Sequence, residues 1–173
     1  MEGTNTLFFI EKNEVPSDRF KDVTRDRIVC NMRPEKEDPN RARATVMGNM
    51  INHPGDNSTP TADLLTVKTL LNSVVSTPGA KFMTIDTSNF YLNTPLDRYE
   101  YMKMKLSNFP EDIVELYNLR GKATNDGYVY AEVRKGMYGL PQAGILAQQL
   151  LETRLNAEDY FQIKITPGFW THK

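Results

Sequence analysis

Apolar side chains recur along this chain with two periods, one helical and one extended. In residues 61–76, Leu64, Val67, Leu71 and Val74 fall at helical spacing, and Leu65, Leu70 and Val75 widen the face. The pattern predicts a buried structural helix, capped by Thr59 or Thr61 and ended by Pro78-Gly79. A second helix is expected over residues 142–157, where Ile145, Leu146, Leu150, Leu151 and Leu155 supply the apolar face. Residues 110–119 read as a short helix with Pro110 in a tolerated first-turn position. Extended segments are expected at 6–10, 23–30, 41–48, 82–85, 99–105 and 128–133, with one or two more within 161–170. The Pro-rich turn between residues 30 and 41 pairs the second and third of these as a hairpin. In 99–105 the residues alternate, with Glu100, Met102 and Met104 on one side and Tyr99, Tyr101 and Lys103 on the other. Gly136 and Gly139, followed by Pro141, form a turn ahead of the second long helix. The order of elements predicts an α+β fold, an antiparallel sheet backed by helices.

Composition narrows the class without naming a function. The 173 residues suit one domain of ordinary size, and 39% hydrophobic with 25% charged residues is enough to build a core. The net charge of −1, from 21 basic and 22 acidic residues, excludes a generically basic coating protein but not a local basic groove. A single cysteine, Cys30, excludes an internal disulfide. With only two histidines beside it, a structural zinc site is not expected. No apolar run approaches the roughly 20 residues that cross a bilayer. The first residues also lack the basic-then-apolar order of a signal peptide. The expectation is an intracellular protein, cytoplasmic or nuclear, with no membrane partner.

Four groups of residues could carry chemistry. Asp86 closes the apolar run 82–85, and a strand end can hold a carboxylate rigidly for a hard cation such as Mg²⁺. On local grounds it caps the following turn with Ser88 and Asn89, since strand-end aspartates are common. Tyr91 lies five positions on, where a ring could wall off a sugar or simply join the core with Phe90 and Leu92. The Gly-rich turn places backbone amides and Gln142 at a helix start, an arrangement that suits an anion but also serves as a plain connection. Arg41 and Arg43 share one face of a strand, suited to polyphosphate or a nucleic-acid backbone, or to a solvated strand edge.

Taken together, these segments resemble the reverse transcriptase region of copia-type retrotransposon polyproteins, from about Phe20 onward. Ile85-Asp86-Thr87-Ser88-Asn89-Phe90-Tyr91-Leu92-Asn93 resembles the palm motif with the first catalytic aspartate. Lys135-Gly136-Met137-Tyr138-Gly139-Leu140-Pro141-Gln142-Ala143 resembles the tyrosine-glycine-leucine, any residue, glutamine-alanine signature. Arg41-Ala42-Arg43, with Val46 and Gly48, resembles the fingers strand, and Ser58-Thr59-Pro60-Thr61 the entry to the leucine-rich helix. The resemblance implies partial polymerase fingers (1–80) and palm (81–173) within one domain. It implies that Asp86 is catalytic and binds Mg²⁺ with the Thr87 carbonyl. It further implies that Tyr91 selects deoxynucleotides, that Gln142 contacts the incoming nucleotide, and that Arg43 and Arg41 bind its triphosphate. The implied reaction is RNA-directed DNA synthesis, a nucleotidyl transfer assisted by two metal ions. The implied partners are an RNA or DNA template-primer, a deoxynucleoside triphosphate and the rest of the polyprotein. Ala44, Phe90-Tyr91, Asn93-Thr94 and Pro141 depart from the family pattern, and no adjacent Asp-Asp occurs anywhere in the chain. The expectation is therefore a catalytically incomplete, marginally stable fragment. Its alternative is a non-catalytic nucleic-acid-binding module that uses Arg43, Tyr99 and Tyr101.

Overall fold

The computed structural model describes residues 4–173. Its framework is a five-stranded sheet in the order β1-β5-β4-β2-β3. Strand β1 is Leu7–Ile10, β2 Thr24–Met32, β3 Asn40–Val46, β4 Pro95–Lys105 and β5 Tyr128–Lys135. The α+β expectation holds. The hairpin of β2 and β3 forms with Val29 opposite Arg43 and Asn31 opposite Arg41. The sheet is mixed rather than wholly antiparallel, because β2 runs parallel to β4 with Thr24 opposite Met102. The long excursion between β3 and β4 makes this direction possible, since only tight hairpins force neighbours to be antiparallel. The sheet also draws strands from both sides of residue 80.

Strands β4 and β5 bury both faces. Met102, Met104, Val129, Ala131 and Val133 pack on one side with Val114, Leu119, Met137, Leu140 and Ala143. Tyr101 and Tyr130 pack on the other with Ile10, Val15 and Val23. Period-two alternation therefore selects between two cores here rather than between core and solvent. Tyr101, which the binding-module alternative assigns to a nucleic-acid strand, is buried.

The helices follow their caps. Helix α1 is Leu64–Ser76, and Asp63 caps it by accepting a hydrogen bond from the Thr66 amide, in place of the expected Thr59 or Thr61. None of its residues is buried, so the expected buried helix stands with Leu64, Leu65 and Val75 exposed. The segment 110–119 divides into α2, Glu111–Leu116, and α3, Leu119–Lys122. The break is at Asn118, whose φ of 49° is left-handed and cannot continue a helix. Helix α4 is Ala143–Ala157 with Gln142 as its N-cap residue. A small hairpin of β6, Tyr160–Gln162, and β7, Trp170–His172, follows it.

One expected strand is absent. Residues 80–87 have no regular structure, and Phe82, Met83 and Ile85 are exposed. A strand persists only when its amides and carbonyls are paired. Among the described residues no strand pairs with 82–85, since β1 and β3 form the two edges of the sheet.

Candidate functional site

The Gly-rich turn is docked on two other segments through backbone. The Val46 amide, at the end of β3, donates to the Tyr138 carbonyl at 2.9 Å. The Gly136 amide donates to the Thr94 carbonyl at 2.7 Å. A Cβ on Gly136 would lie 2.6 Å from the Tyr91 carbonyl oxygen. Gly139 has a φ of 94°, and a Cβ there would collide with the Val46 carbonyl oxygen. Both glycines are thus required by close approach, and the second by its dihedral as well.

This docking gathers side chains that are far apart in sequence. The Arg43 guanidinium carbon lies 5.2 Å from the centroid of the Tyr138 ring, within cation–π range. The Tyr138 ring meets Tyr91 edge to face, centroids 5.0 Å apart, and Tyr91 in turn meets Phe90 at 5.7 Å. Tyr91 is held from below by a turn in which Asn89 adopts a φ of 53° and the Thr94 amide donates to the Tyr91 carbonyl. Two of the expected nucleotide residues, Arg43 and Tyr91, are therefore linked through Tyr138. Arg41 lies two residues along β3 on the same face as Arg43, and the register sets Arg27 beside them opposite Thr45. A groove of about 490 Å³ opens on this face between Arg27, Val29 and Thr45 of the hairpin and Gly139 and Pro141 of the turn.

Gln142 is not on that groove. It is 4% exposed, and its Nε2 donates at 3.0 Å to Oε1 of Glu100, which is 0% exposed. Glu100 also accepts from Arg19 at 2.6 Å and from Arg98 at 3.3 Å. Arg19 reaches Asp22 as well, at 3.2 Å. A buried carboxylate survives only with such partners. Arg98 further donates to the Asn52 carbonyl. The network ties the turn before β2, the strand β4 and the start of α4 to one another.

Asp86 and Thr87 are exposed on the irregular segment before Tyr91. Five residues span at most about 18 Å, which bounds the distance between Asp86 and the Tyr91 ring's backbone. Asp86 makes no hydrogen bond or ion pair among the described residues. Nor do the described residues contain a group of three or more His, Cys, Asp or Glu able to hold a metal ion. A complete Mg²⁺ site is thus not assembled among the described residues.

Among the strand tyrosines, Tyr101 is in the core and unable to stack on a base. Its hydroxyl is pushed above its usual range, first by burial and then by the Glu132 carboxylate. Tyr99 is exposed, with the Arg134 guanidinium 5.4 Å from its ring.

Two participants were not singled out from sequence. Tyr138 lies inside the recognised turn and serves as the hub of the aromatic chain. Glu100 shares a strand face with Met102 and Met104, and a carboxylate on an apolar stripe signals a buried cation partner. Arg19, that partner, carries no local signal because it lies 81 residues away. Compared with protein-family models, with curated proteins and with solved structures, the chain matches none.

Proposed function

We propose that this chain is the fingers and partial palm of a reverse-transcriptase-like polymerase, which binds a deoxynucleoside triphosphate and a template-primer but does not complete nucleotidyl transfer alone. The observation that supports it is convergence. Arg43 and Tyr91, which the resemblance assigns to the incoming nucleotide, both meet Tyr138 of the turn that ends in Gln142, although up to 95 residues separate these contacts in the chain. A cationic side chain lying on one ring and a second ring meeting that ring edge-on give a phosphate-attracting end and a sugar-excluding wall. Asp86 and Thr87 would supply one part of a Mg²⁺ site, with further carboxylates contributed by the remainder of a polyprotein. The protein would act inside the cell, in cytoplasm or nucleus.

The arginine face of the β2–β3 hairpin favours a second reading, a non-catalytic module that grips a nucleic-acid backbone through Arg27, Arg41 and Arg43. Anisotropy of a fluorescent deoxynucleoside triphosphate, with dATP and ATP as competitors, and of a separately labelled primer-template titrated with salt, separates the two. The polymerase reading expects dATP to compete better than ATP, Tyr91→Ala to erase that preference, and Arg43→Ala to weaken competition about tenfold. Strand binding that falls steeply with salt and ignores both nucleotides supports the module instead. Absence of binding to either probe at low salt overturns both.

A further inference from the structure

Glu100 lies outside the residues assigned to the nucleotide, yet it is the most enclosed charged side chain among the described residues. We infer that Glu100 is a positioning residue, which through Gln142 fixes the Gly136–Gln142 turn and so sets Tyr138 beneath the Arg43 guanidinium. The inference rests on the nucleotide reading above for its functional consequence, but its structural content stands apart from it.

An ionised carboxylate only accepts hydrogen bonds, so it must face the nitrogen of the Gln142 amide. That bond, 3.0 Å to Oε1, fixes which way the amide points. The Gln142 oxygen is buried and has no hydrogen-bond partner among the described residues, so no second contact would restore the orientation if Glu100 were changed. Gln142 is also the residue at which the turn becomes helix α4, because the Leu146 amide donates to its carbonyl. Four residues earlier on the same rigid turn is Tyr138, and Arg43 depends on that ring. The Arg43 Nε is buried and has no hydrogen-bond partner among the described residues, which leaves the ring face as its main contact. Arg19 holds the other carboxylate oxygen, Oε2, and Arg98 shares Oε1 with Gln142, so the carboxylate is anchored at both oxygens.

The test uses the full chain labelled with ¹⁵N. The Arg43 Nε–H resonance reads the ring-current field of Tyr138 without any ligand, and dATP titration reads affinity. In Glu100→Gln the carboxamide has one acceptor oxygen where the carboxylate has two, so either Arg19 or Gln142 meets an N–H. The expected result is loss of the Arg43 ring-current shift and about tenfold weaker dATP binding in a folded protein. Val114→Ala, a core truncation on α2, should lower the melting temperature while leaving both readouts unmoved. The swap Glu100→Gln with Gln142→Glu restores an amide-to-carboxylate bond in the reverse direction and should return both readouts toward wild type. If Glu100→Gln does not fold, Glu100→Asp keeps the charge for Arg19 but shortens the reach to Gln142, and it should shift both readouts likewise. A folded variant of either kind with a wild-type Arg43 resonance overturns the inference. A displaced resonance in a protein whose wild type binds no dATP leaves the positioning role standing and overturns the polymerase reading.

Discussion

Gly139 concentrates two demands in one position, a positive φ and a carbonyl oxygen pressed against the place a Cβ would take. Gly79 makes only the first demand, with a φ of 77° and open space around it. The pair separates dihedral strain from collision. Gly79→Ala should cost about 1–2 kcal/mol, the ordinary penalty of a left-handed alanine. Gly139→Ala must also push β3 and the turn apart, and should cost about 3 kcal/mol or more and disperse the Arg43–Tyr138 contact. Urea melts of the two variants check the ranking, and equal losses would mean that the turn is not seated on Val46 in solution. The sequence marks both positions only as glycine. Which one bears a collision is decided by a carbonyl 93 residues away in the chain, so no local pattern could reveal it.

At the scale of an element, α1 is held by its cap rather than by its neighbours. Asp63 accepts from both the side chain and the backbone of Thr66, and these bonds hold its carboxyl below the ordinary value of 3.8. A group with a lowered folded pKa stabilises the helix fully above its unfolded value, and that contribution disappears as pH falls through the folded value. Helical circular dichroism from α1 should therefore decline as pH drops below 3.8, and Asp63→Asn should remove that part of the decline. An unchanged acid profile in the variant would assign the decline to other carboxylates. Glu111, held low by its hydrogen bonds with Arg120, is the chief other source in a helix and can be tested with Arg120→Gln. The apolar periodicity of residues 61–76 correctly identified a helix here. It misjudged burial, because periodicity reports that a face is apolar and not that anything covers it. The run 82–85 failed for the related reason that β-propensity describes a willing strand, while a sheet requires a partner.

For the molecule as a whole, this leaves apolar side chains on its surface. Leu65 is 74% exposed, Val75 85% and Ile85 69%. Large apolar side chains exposed in this number favour association. Light scattering against protein concentration should show self-association, and the triple variant Leu65→Gln, Val75→Gln, Ile85→Gln should move its onset to higher concentration. Surface substitutions away from packed contacts change stability by about 0.5 kcal/mol or less, so the melting temperature of the dilute protein should be unchanged. A large drop in melting temperature would show that these side chains are packed in solution. The packed core lies elsewhere, in the two-faced layer of β4 and β5 and in the ion network around Glu100.

Local chemistry determined much of this protein from sequence alone. Alternation and turn residues set out β2, β3, β4 and β5, apolar spacing set out α1 and α4, and the paired glycines marked the turn at Gly136. These follow from interactions between residues a few positions apart, which a chain carries wherever it folds. Tertiary structure alone decided that β2 would lie parallel to β4, that Tyr101 would be buried, that Gln142 would turn inward to Glu100, and that Tyr138 would join Arg43 to Tyr91. Each of those depends on two groups brought together across many residues by loop closure and burial. The chain's order specifies which groups exist, and only the folded packing specifies which of them meet.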